Sequence, residues 1–67
     1  MGVVEMKTIL VCRIGDNYSL GEALGMDRHG KIWAVECDEA TPGALYANGK
    51  WYRRFDDFKL AEKFCQE

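Results

Sequence analysis

Five consecutive residues, Trp51-Tyr52-Arg53-Arg54-Phe55, bring large rings and guanidinium groups together, and Tyr46 stands shortly before them. Trp, Tyr and Arg concentrate at binding hot spots because they offer large, partly polar contact area at limited entropic cost. Two recognition chemistries use such a set. A larger protein would bury the rings and pair the cations. A single strand of nucleic acid would stack bases on Trp51 or Tyr52 while Arg53 and Arg54 neutralise phosphates. Net charge separates the two: 9 Lys and Arg stand against 11 Asp and Glu, a formal charge of -2, and Asp38-Glu39 and Asp56-Asp57 would repel a phosphate backbone. Docking on a larger protein through Tyr46, Trp51, Tyr52, Arg53 and Arg54 is the expected function, with single-stranded nucleic-acid binding as the alternative. A plainer reading packs the rings under a helix and pairs the arginines with Asp56, Asp57 or Glu36.

The residue types that do catalytic work are not arranged for it. His29, the single histidine, falls among charged neighbours in a turn-forming stretch. Asp56 and Asp57 are adjacent carboxylates, but neighbours at a helix start point in different directions and have a sufficient role in capping. Gly21 and Gly25 lack the further glycine and lysine of a phosphate cradle. Cys12, Cys37 and Cys65 are odd in number, match no disulfide framework or paired zinc knuckle, and lie in apolar surroundings, so they read as reduced, buried thiols. No enzyme, cofactor or metal site is expected. Nor is a membrane span, since the apolar runs fall far short of the ~20 residues that a crossing needs. A cytoplasmic protein is expected. The small size also suits an accessory or inhibitor protein of phage or mobile-element origin.

With 67 residues, 48% of them hydrophobic, the chain has material for a single domain spanning 1–67 with one small core. Marginal stability and unpaired strand edges make a homodimer a further candidate assembly.

The elements that must position the aromatic and cationic residues read as follows. Even positions Val4, Met6, Thr8, Leu10, Cys12 and Ile14 alternate with odd ones that include Glu5, Lys7 and Arg13, a period-two pattern that predicts a half-buried strand ending at Gly15-Asp16-Asn17. The stretch from Ser19 has two readings. Ser19-Leu20-Gly21-Glu22 has the form of a capping box, with Gly25 as a helix stop. Two glycines weigh against a helix, however, and Asp27-Arg28-His29-Gly30 suits a hairpin turn joining Leu20–Met26 to Lys31–Cys37; the hairpin is the reading adopted. Ile32-Trp33-Ala34-Val35 is apolar on both faces and predicts a central strand. Asn48-Gly49 predicts a type I′ turn that sets Tyr46 opposite Trp51 and Leu45 opposite Tyr52. Strand alternation then places Trp51, Arg53, Phe55 and Tyr46 on one face, and Tyr52, Arg54 and Leu45 on the other. After Asp56 or Asp57 as cap, Phe58, Leu60, Ala61, Phe64 and Cys65 share one arc of a C-terminal helix.

The expected fold is α+β: an antiparallel β-sheet of about five strands (Val3–Ile14, Leu20–Met26, Lys31–Cys37, Ala44–Ala47, Lys50–Phe55) with one C-terminal α-helix packed on a face. An SH3-like small β-barrel with an appended helix is the alternative. So short a chain holds more ring area than one thin core needs, and the surplus is expected at the surface.

Overall fold

A computed structural model describes residues 8–66. The elements run β1 (Ile9–Cys12), α1 (Tyr18–Ala23), β2 (Ile32–Glu36), β3 (Ala44–Ala47), β4 (Lys50–Phe55) and α2 (Phe58–Gln66). The strands form one antiparallel sheet in the order β1-β2-β4-β3, so the fold is α+β with four strands instead of about five. Among the described residues the sheet is open, with β1 and β3 as its edges, and they do not close into the small barrel. The part of the first expected strand that precedes Thr8 lies outside the described residues.

The β3–β4 hairpin forms for the local reason its sequence suggests. Asn48 and Gly49 both take positive φ, 50° and 82°, as a type I′ turn demands, and the register pairs Tyr46 with Trp51 and Leu45 with Tyr52. β2 then pairs with β4 through Trp33↔Phe55 and Val35↔Arg53, and β1 with β2 through Ile9↔Val35 and Val11↔Trp33. Because side chains alternate, this register sorts the sheet into two faces. One carries Ile9, Val35 and Phe55 under α2, with Ala61 and Cys65 closing that core. The other carries Cys12, Ile32, Ala34 and Tyr52 under Leu20, Leu24 and Met26. The sheet is thus covered on both faces, by a different short helix on each.

Leu20–Met26 is the main correction. It is not a strand but α1 and its C-terminal exit, and the glycines that argue against a helix turn out to build it. Gly25, at φ 84°, lets its own N–H reach Glu22 O at 3.0 Å while the Met26 N–H reaches Gly21 O at 2.9 Å, the paired bonds of a Schellman ending. Gly21 leaves the space into which Met26 folds: a Cβ there would stand 2.7 Å from Met26 Cε and 3.0 Å from Cys12 Cβ. The capping box does not form either. Asn17 is the N-cap, in the left-handed region, and its side chain donates instead to Val11 O at 2.8 Å. Asp27–Gly30 does turn, with Gly30 N–H on Asp27 O at 2.9 Å, but it joins α1 to β2 and is not a hairpin tip. Ile14 also departs from the strand pattern. The turn closed by Arg13 and Asp16 carries it outward, leaving it 58% exposed.

Gly21→Ala tests this packing. In a free helix the change would gain ~1 kcal/mol. Here the added methyl meets Cys12 Cβ, which the strand backbone holds in place, so a net destabilisation of about 1–2 kcal/mol is expected in urea unfolding. A stabilised variant would show that α1 has room to lift.

Candidate functional site

Strand alternation divides the five expected binding residues between the two faces. Tyr52 lies on the α1 side and is buried. Arg54 is on that side too and is committed to the fold: its Nη1 donates to Leu24 O at 3.0 Å, at the C-terminal end of α1, while Nη2 and Nε donate to Asp56 Oδ1 at 2.9 and 3.2 Å. A guanidinium against the last carbonyls of a helix complements their partial negative charge, so Arg54 clamps α1 to the sheet. This much matches the plainer sequence reading, in which an arginine pairs with Asp56.

Tyr46, Trp51 and Arg53 share the opposite face. α2 packs there over Ile9, Trp33, Val35 and Phe55, towards β1 and β2, and leaves the β3 end of the sheet open. Tyr46 is 64% exposed and meets Trp51 edge to face, with ring centroids 5.2 Å apart. The Arg53 guanidinium lies 5.1 Å from both the Phe55 and Phe64 ring centres, held by cation–π attraction. The ion pairs among the described residues are Lys50–Glu36 and Arg54–Asp56, so no described carboxylate neutralises Arg53. A groove of about 270 Å³ runs between β4 and α2, lined by Arg53, Arg54, Phe55, Leu60, Lys63 and Phe64. Leu60, 55% exposed, is its apolar rim.

Leu60 and Lys63 are the members that the sequence reading did not assign here. Leu60 was grouped with the buried arc, yet consecutive helix residues stand about 100° apart, and with Ala61 at the centre of the buried stripe Leu60 falls at its margin. The signal was present in the helix phase. It became readable once the position of α2 on the sheet was known.

A larger cleft, about 490 Å³, opens on the α1 face between Leu10, Tyr52, Glu36 and Lys50. Lys50 Nζ stands 3.6 Å from Glu36 Oε1, and Asp38 adds a second carboxylate to the lining, so this cleft is acidic where the groove beside Arg53 is cationic.

The remaining reactive groups are dispersed. His29 is exposed in its turn. The adjacent carboxylates work separately, Asp57 Oδ1 accepting the Lys59 N–H at 3.0 Å as the α2 cap while Asp56 takes Arg54. Cys12 and Cys65 are buried and Cys37 is half-buried, and none of the three is in a disulfide. Enclosure, and secondarily the Asp16 carboxylate, push the Cys12 thiol above its ordinary pKa, so it stays protonated and poorly nucleophilic near neutral pH. Among the described residues no three His, Cys, Asp or Glu side chains gather as metal ligands, and no helix is long and apolar enough to cross a membrane.

Comparison of the chain with family models, with curated proteins and with solved structures finds no match.

Proposed function

We propose that this chain is a non-enzymatic, cytoplasmic protein-binding module, an accessory subunit or small inhibitor, that docks on a larger protein through the open end of the α2 face. The observation that carries the reading is the exposed Tyr46 ring, packed on half-buried Trp51, beside a guanidinium that has no described carboxylate partner. Rings left at the surface and a cation left unneutralised both cost less once a partner covers them, and side chains of these types dominate hot spots. The docking set is thus Tyr46, Trp51 and Arg53. Tyr52 and Arg54 support it from behind, through the core and the α1 clamp.

Affinity capture from the native host, read by mass spectrometry, tests this with wild type, Tyr46→Ala and Trp51→Ala, each first shown to be folded. A hot-spot ring contributes about 2 kcal/mol or more, so capture of the specific partner should fall about 30-fold in each variant. Equal capture by all three would remove this face from the account.

A second reading has its own support. Tyr46 and Trp51 could stack bases while Arg53 and Lys63 meet phosphates. Such binding to oligothymidylate would weaken steeply with salt. The net charge of -2 places this reading second.

A further inference from the structure

The open face ends at β3, a sheet edge whose residues Ala44-Leu45-Tyr46-Ala47 carry no charge, proline or bulge to discourage a further strand. In a two-residue hairpin the pair next to the turn, here Ala47–Lys50, is hydrogen-bonded, and alternation makes Leu45–Tyr52 the next such pair. The backbone groups of Ala44 and Tyr46 therefore point away from β4. The Ala44 N–H is already taken by Thr41 O at 3.0 Å. The Ala44 C=O and both polar groups of Tyr46 are left for an incoming strand.

The same stretch of edge lies beside Arg53. Ala44 is the register partner of Arg53, and its methyl is the one side chain of β3 between that guanidinium and the edge. At Gly43 a Cβ would stand 3.6 Å from Arg53 Nε, so the absence of a side chain there keeps the approach clear. Resting on the docking face proposed above, we infer that β3 accepts an extended, acidic segment of the partner protein as an added antiparallel strand. One residue of that segment lies opposite Tyr46 and exchanges both backbone hydrogen bonds with it, its apolar side chain falling on the Tyr46–Trp51 pair. The residue two positions further on lies opposite Ala44, where an Asp or Glu leans over the alanine to reach Arg53. The motif read is thus apolar-x-acidic, with main-chain bonds supplying affinity and alternate side chains supplying specificity.

A second copy of this chain fits the edge less well. Pairing β3 with β3 about a two-fold axis keeps like faces together, so Arg53 would meet the Ala44, Tyr46, Trp51 and Arg53 of its mate and find no carboxylate.

Selection of a displayed library of random linear octapeptides on the folded protein tests the inference. Enriched peptides should share the apolar-x-acidic pattern, and a synthetic representative should slow hydrogen exchange at the Tyr46 amide. Arg53→Glu should weaken that peptide about tenfold, and replacing its acidic residue by Lys should restore binding to Arg53→Glu while weakening binding to wild type. The charge swap separates a lost contact from a damaged fold. A library yielding no binder, or binders without an acidic residue, would overturn the inference. So would sedimentation showing β3 occupied by a second copy. Peptides that lose affinity on Tyr46→Ala yet leave the Tyr46 amide exchanging freely would overturn the added strand while leaving the docking face intact.

Discussion

Phe55→Ala is expected to be the most destabilising single truncation on the α2 face, costing about 3–5 kcal/mol at 25 °C. Phe55 is the joint between the sheet and α2: it is buried, its ring centre lies 5.4 Å from that of Phe64 and 5.1 Å from the Arg53 guanidinium, and its strand register fixes Trp33 beside it. Truncating a buried phenylalanine costs about 3–5 kcal/mol in lost transfer energy and residual cavity. A domain of this length has roughly 3–10 kcal/mol of total stability, so one substitution removes about a third of it or more. α2 cannot compensate, since so short a helix holds its shape in water through tertiary packing alone. Circular dichroism and urea titration would read the loss. Leu60→Ala, at the exposed rim of the groove, provides the contrast and should cost well under about 1 kcal/mol. A Phe55→Ala protein that melts within a few degrees of wild type would mean that α2 is held by contacts other than these.

The second large effect is expected on the other face. Leu20→Ala should destabilise the protein by about 2–4 kcal/mol, because Leu20 is the buried anchor of a six-residue helix whose own backbone bonds cannot sustain it. α1 lies directly on Cys12, whose Cβ is 3.0 Å from the place where a Gly21 side chain would begin. Lifting α1 therefore uncovers a thiol that is otherwise wholly enclosed. Alkylation of Cys12 should accelerate on the order of 30-fold or more in Leu20→Ala, following the larger open population, while half-buried Cys37 changes far less. An unchanged Cys12 rate would show that the Arg54 clamp on Leu24 O holds α1 down unaided. Arg54→Ala in the same background would then release it.

Much of the β3–β4 hairpin was legible from its residues. Asn48-Gly49 permits the positive φ of a type I′ turn, and that turn sets the register that brings Tyr46 to Trp51. Period-two alternation then sends Arg53 and Arg54 to opposite faces, and Asp57 caps the helix that follows. Each of these rests on groups a few residues apart, where sterics and local hydrogen bonds dominate. α1 was less legible because its evidence conflicts at short range. Gly21 and Gly25 weaken a helix by propensity, and their value emerges only when Met26 folds into the space at Gly21 and the reversed chain presents Leu20 and Leu24 to Cys12 and Ile32.

Local chemistry in this chain therefore settles turn type, strand phase, the C-terminal cap and the residue types on each side of β4. The strand order β1-β2-β4-β3, the second covering helix, and the choice of Arg53 over Arg54 as the cation without a described carboxylate partner were decided by long-range packing. Alternation alone makes the two arginines equivalent. They become different because α1 ends with a bare carbonyl beside Arg54, while on the other face α2 brings the Phe64 ring, and no described carboxylate, to Arg53.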